Sequence, residues 1–116
     1  MNISFSLTTQ QVRDRTKVVT RRNGWKNAKV GQVLTACVKC MGLKKGEKIE
    51  KICQIRIVSV RSEPLNRLLD SREYGIVEMR NEGFPDWSPQ QFIDMYCKHN
   101  KCDPFDCVTR IEFEYL

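Results

Sequence analysis

The feature that most constrains this chain is its ending. From Arg110 the sequence alternates strictly, with Ile111, Phe113 and Tyr115 on one side and Arg110, Glu112 and Glu114 on the other. Side chains of a strand point to opposite faces in turn, so this segment is a half-buried β-strand with one face on a core. A strand needs partners, and the rest of the chain supplies them. Ile3 to Leu7 alternates as a first strand, and Val33 to Lys39 reads as another. The charged loop Gly42-Leu43-Lys44-Lys45-Gly46-Glu47 makes Val33–Lys39 and the long segment Ile49 to Val60 a hairpin. Within that segment Cys53, Ile55 and Ile57 line one face before Val58 and Val60 take up the other, which predicts a bulge or bend.

Helices are announced by their ends. Ser88-Pro89-Gln90-Gln91 combines an N-cap serine, a first-turn proline and a third-position glutamine, and Phe92, Ile93, Met95 and Tyr96 then form an apolar stripe. The helix closes on Lys98-His99-Asn100, where basic groups suit its C-terminal dipole. A second helical pattern starts after Pro64, carries Leu65, Leu68, Leu69, Ile76 and Met79, and stops at Gly83. A short helix over Gln10–Arg15 follows Thr8 or Thr9. Strands come first and last and dominate the count. We therefore expect one α+β domain over residues 1–116, built as a small antiparallel barrel with short helices at its ends.

The chemistry concentrates in Lys17-Val18-Val19-Thr20-Arg21-Arg22, read as a short strand that Asn23-Gly24 ends. Thr20 and Arg22 share a face, so a hydroxyl and a guanidinium meet there, a pairing suited to an anion or a polarised carbonyl. Lys17 and Thr20 are three apart and would face opposite ways in a regular strand. Joint action requires Lys17 to sit in the turn ahead of it, where the chain leaves a helix near Arg15-Thr16. Taken one at a time, these residues read as a strand threonine and solvated charges.

Charge adds weight to this stretch. The net charge is +6, and residues 1–29 hold seven basic groups and one acid, while the remainder balances. A basic footprint of this kind fits a polyanion, most often nucleic acid. Trp25 lies inside it and could stack on a base, with Arg15, Arg21, Arg22 and Lys26 around it. No apolar run reaches the length of a membrane span, and no secretory signal is visible, so we expect a cytoplasmic protein. The six cysteines then read as free thiols. Cys37-x-x-Cys40 falls in a strand with its thiols on opposite faces, and Cys97, His99, Cys102 and Cys107 read more simply as unligated side chains. We expect no metal and no cofactor.

Lys17-x-x-Thr20-x-Arg22 after a short helix, Glu82-Gly83-Phe84-Pro85, the Ser88-Pro89…Phe92 helix and the closing Val108-Thr109-Arg110-Ile111-Glu112-Phe113 strand together resemble ASCH domains of the PUA-like superfamily. The resemblance covers nearly the whole chain and is nearest to the short ASCH proteins of bacteriophages and prophages. It implies a PUA-like β-barrel of about five or six mostly antiparallel strands, with a cleft that takes RNA or a modified nucleoside. Some small ASCH proteins are amidohydrolases that remove acetyl from N4-acetylcytidine with a lysine, a threonine and a glutamate. By motif position these are Lys17, Thr20 and Glu82. Other members bind RNA without chemistry or cut it, so a non-catalytic RNA-binding module and a ribonuclease stand as alternatives.

Overall fold

The computed structural model describes residues 1–116. In chain order it runs β1 (Asn2–Ser4), α1 (Thr9–Arg13), β2 (Val19–Arg22), β3 (Val33–Cys37), β4 (Lys51–Pro64), a 3-10 turn (Leu65–Leu69), α2 (Arg72–Glu82), α3 (Pro89–Asn100) and β5 (Cys107–Tyr115). The five strands form one mixed sheet in the order β1-β3-β4-β5-β2. Only the β1–β3 pair is parallel, as β1 and β3 are joined by a crossover rather than a turn. The α+β class and the mostly antiparallel pairing match the expectation from the sequence.

The sheet is not closed into a barrel. β1 and β2, of three and four residues, are its edges, and no backbone ladder joins them. A side chain spans the seam instead: Arg22 Nη2 of β2 donates to the Ser4 carbonyl of β1 at 2.6 Å. The opening between these edges is where the candidate site lies.

The expected bulge in β4 falls between Ile57 and Ser59, where the pairing with β5 shifts register. Its consequence differs from a simple change of face. Val58 is pushed out to solvent, and Val60 packs against the same core as Ile57 although three residues separate them. That core holds Ile3, Phe5, Leu34, Ile55, Ile57 and Phe113 on one face of the sheet. On the other face, the 3-10 turn, α2, α3 and β5 share a second apolar cluster that includes Leu65, Leu68, Met79, Phe92, Ile93 and Val108.

The single helical pattern after Pro64 is two elements. Leu65 and Leu68 are buried in the 3-10 turn, and the chain restarts at Ser71, whose Oγ accepts from the Tyr74 amide and caps α2. Starting there turns α2 so that Ile76 and Val77 face solvent and Gly75, Glu78, Met79 and Glu82 face inward. The α3 start is as expected: Ser88 Oγ accepts from Gln91 N while Gln91 Oε1 accepts from Ser88 N, with Pro89 in the first turn. No helix is long and apolar enough to cross a membrane.

Candidate active site in the seam of the sheet

β2 begins at Val19, so Lys17 lies in the link from α1, ahead of the strand. Arg15 makes that link possible by adopting a left-handed backbone (φ 61°) directly after α1. Val18 N then donates to the Asn81 carbonyl at 2.8 Å and ties the start of β2 to the end of α2. Lys17 is thereby sunk beside Glu82, the last residue of α2. Its Nζ donates to Glu82 Oε1 at 2.7 Å and to the Glu82 carbonyl at 2.8 Å. That carbonyl is free to accept because α2 stops there: Gly83 takes φ 95°, the left-handed position that ends a helix.

The second oxygen of Glu82 accepts from Arg21 Nη1 at 2.9 Å. The carboxylate is therefore held by one cation on each oxygen. Thr20 Oγ1 accepts from Arg22 Nε at 2.9 Å, as their shared face requires. Arg22 also lies over the Phe5 ring at 4.9 Å and, unlike Arg21, has no carboxylate partner. Lys17, Thr20, Arg21 and Glu82 are each at most 4% exposed, so water screens this cluster weakly. Burial pushes the Lys17 amine below its usual range; Glu82 pulls it back in part, and Arg22 and Arg21 push it down further.

Lys17, Thr20, Arg21, Arg22 and Glu82 line one cavity of about 530 Å³. The rest of its lining is mixed: Phe5 just past β1, Trp25, Phe84, and Phe92, Met95 and Tyr96 from α3 supply apolar surface, and Ser4, Ser6, Thr8, Asn23 and Asn100 supply polar groups. A volume in this range, walled by aromatic and polar side chains together, suits a small-molecule site. Trp25 reaches this wall from a left-handed turn (φ 59°) after Gly24. Phe84 lines the cavity and also stacks on Trp87 at 4.3 Å. His99, at the end of α3, borders the opening.

Arg15 and Lys26 are not brought to this cavity. Both are exposed; Arg15 lies over the Tyr115 ring at 5.3 Å, and Lys26 borders a separate depression that Trp25 shares. The basic footprint of residues 1–29 is thus divided. Lys17, Arg21 and Arg22 sit in the cavity wall, while Arg13, Arg15, Lys26 and Lys29 lie on the surface.

Arg21 has a second role that the sequence did not suggest. It stands in register with Arg110 of β5, which stands in register with Arg61 of β4. Three glutamates cover this row. Glu78 of α2 accepts from Arg21 Nη2 at 2.5 Å and from Arg110 Nε and Nη2 at 2.5 and 3.0 Å. Glu63 accepts from Arg61 Nε at 2.8 Å and from the Tyr74 hydroxyl at 2.9 Å, and lies 3.5 Å from Arg21. Burial pushes the Glu78 carboxyl up, but the hydrogen bonds and charges of Arg110 and Arg21 outweigh it and hold it down at about 2. Arg110, expected on the solvent side of β5, is 5% exposed because α2 covers that face. The one available signal was Glu78 and Glu82, four apart on a helix whose apolar residues do not form a stripe.

The cysteines are free, and no group of three or more His, Cys, Asp or Glu residues stands where it could hold a metal ion. No known family model matches the chain, and no curated protein matches it. Two solved structures are similar. Protein EF3133 from Enterococcus faecalis V583, of the family model DUF984, superposes with a TM-score of 0.60 and 17% identity over 92% of this chain and 68% of its own. Hypothetical protein PH0355 superposes with a TM-score of 0.62 and 15% identity over 100% of this chain and 96% of its own. At these identities the likeness is one of fold: this chain has the α+β fold of those two proteins.

Proposed function

We propose that the cavity binds RNA or a modified nucleoside and hydrolyses the amide of an N4-acetylcytidine-like substrate, as the resemblance to ASCH domains implies. The observation that carries this reading is that Lys17, Thr20 and Glu82 line one nucleoside-sized cavity, with Lys17 Nζ 2.7 Å from Glu82. Thr20 Oγ attacks the acetyl carbon while the neutral Lys17 amine takes its proton. Burial lowers the cost of that neutral form. Arg22, the cation without a carboxylate partner, faces the developing oxyanion. The carbon–nitrogen bond then breaks, and Lys17 returns its proton to the departing amine. Water hydrolyses the acetyl ester and restores Thr20, releasing acetate. Glu82 holds Lys17 by two hydrogen bonds and so fixes the direction of its amine.

Acetate release from N4-acetylcytidine tests this, with Thr20→Ala and Lys17→Met beside the wild type and thermal unfolding as the check on folding. We expect turnover that falls at least ~100-fold in both variants, the scale of losing a nucleophile or a general base. The rate should rise with pH as Lys17 loses its proton, on a limb below the ordinary lysine value of 10.5. Absence of turnover by the wild type would remove the hydrolase. The exposed Arg13, Arg15, Lys26 and Lys29 favour the second reading, an RNA-binding module without chemistry. That reading predicts RNA affinity that falls steeply with salt.

A further inference from the structure

We propose that the Tyr96 hydroxyl is the group that reads the ligand, donating a hydrogen bond to an uncharged acceptor such as a carbonyl oxygen or a ring nitrogen. This rests on the cavity being the ligand site and deepens that reading, because neither the motif nor the Lys17–Thr20–Glu82 set includes Tyr96.

Two buried side-chain polar atoms in the molecule lack a hydrogen-bond partner: Tyr96 Oη and Arg21 Nε. Both residues line the same cavity. Leaving a buried donor unpaired costs the free energy of its lost hydration. Of the two, Arg21 Nε belongs to a side chain already held by glutamates, whereas the Tyr96 side chain has no other polar atom and no partner. Tyr96 is 5% exposed, and its ring is fixed by stacking on Phe92 at 6.0 Å. The hydroxyl is thus held in place with nothing in the protein to hold it for.

The character of the group selects its partner. The cavity already has Arg22 for an anion and Lys17 for proton transfer. Tyr96 feels Glu82, Arg22 and Arg21, and its hydroxyl is kept neutral chiefly by burial and by the nearby Cys102 and Glu82, against the pull of Arg22 and Arg21. A neutral O–H discriminates by hydrogen bonding rather than by charge. A site of this kind rejects a ligand that lacks the matching acceptor, since the hydroxyl is then left unpaired again.

The test compares Tyr96→Phe with the wild type in two ways. Without ligand, thermal unfolding of Tyr96→Phe should occur at the same temperature or higher, because the lost hydroxyl has no partner to abandon. A clear fall would mean that the hydroxyl is bonded within the protein, and would overturn the inference whatever the ligand. Equilibrium binding of N4-acetylcytidine is then measured calorimetrically in Thr20→Ala and in Thr20→Ala/Tyr96→Phe, so that no turnover intervenes. We expect the second protein to bind about 5- to 10-fold more weakly, the scale of one hydrogen bond. Equal binding by the two would overturn the role of Tyr96 and leave the nucleoside reading standing. No binding by either of them or by the wild type would overturn that reading, and the ligand-reading role with it.

Discussion

On one face of the sheet Ile3, Phe5, Leu34, Ile55, Ile57 and Phe113 exclude water and make no polar contact among their side chains. Part of the other face, under α2, carries Arg21, Arg110 and Arg61 in register across β2, β5 and β4, covered by Glu82, Glu78 and Glu63. The apolar face depends on volume, and any side chains that fill it equally well serve nearly as well. The charged face depends on identity. Arg21, Arg110, Glu63, Glu78 and Glu82 are buried, each against a partner of opposite sign, while Arg61 at the margin is exposed; removal of a buried member strips a neighbouring charge of a partner. That difference matters for the site, since Arg21 touches both Glu78 and Glu82. The layer that holds α2 on the sheet also fixes the carboxylate that holds Lys17.

The largest effect that would test this contrast is expected at Glu78. In Glu78→Ala, Arg110 keeps only Glu112 at 3.6 Å, and Arg21 loses its 2.5 Å contact. Breaking a buried pair from one side costs about 3–5 kcal/mol. Ile57→Val on the apolar face should cost about 0.5–1.5 kcal/mol. Denaturant unfolding of both variants reads the comparison directly. A loss below about 1 kcal/mol for Glu78→Ala would mean that water reaches the arginines and that the two faces do not differ as described.

Acid separates the faces without changing their shape. The Glu78 carboxyl titrates at about 2 in the folded protein against 4.5 when unperturbed, and Glu63 is lowered too, by Arg61, Arg21 and Tyr74 against the opposing effect of its burial. Carboxyls with depressed folded values bind fewer protons than the unfolded chain does. Their stabilisation is complete above the unfolded value and is lost as pH falls through the folded one. Wild-type stability should therefore fall between about pH 5 and pH 2. Glu78→Gln should flatten that acid limb, whereas Ile57→Val should lower the whole curve with its slope intact. An unchanged slope in Glu78→Gln would place the charged layer outside the account of acid stability.

These two faces were unequally legible in the sequence. The capping box at Ser88–Gln91, the C-terminal Gly83 and the bulge near Ile57 are written in local order, because each is decided by residues within a few positions. Thr20 and Arg22 could be grouped by their spacing, whereas Lys17 joined them only through the resemblance, on condition that it lie ahead of the strand, as it does. Arg110 could not be read, because alternation along β5 shows which side chains are polar but not that a helix covers them. Tyr96 belonged to an apolar stripe; that its hydroxyl lacks a partner is a property of what surrounds it in space. The barrel expectation met an open sheet for a related reason: pairing between the two edge strands is decided in space, and here the Arg22 side chain, not a backbone ladder, joins β2 to β1.

The smallest effect concerns the joint between the charged layer and the site. Gly83 carries φ 95°, and a Cβ placed there would stand 2.9 Å from Gln11 Cγ and 3.4 Å from Lys17 Cβ. Gly31 has a similar φ of 88° and open space around it. Alanine at either position incurs the left-handed penalty of about 1–2 kcal/mol. Only Gly83→Ala also presses on the link that carries Lys17 and on the carbonyl of Glu82 that accepts from it. Gly31→Ala should therefore lower stability alone. Gly83→Ala should lower stability by a few tenths of a kcal/mol more, for the side-chain displacement, and should also reduce turnover. Equal losses, with turnover unchanged in both, would show that Gln11 moves aside and that the direction of Lys17 is set by Glu82 and not by the fit of the chain around Gly83.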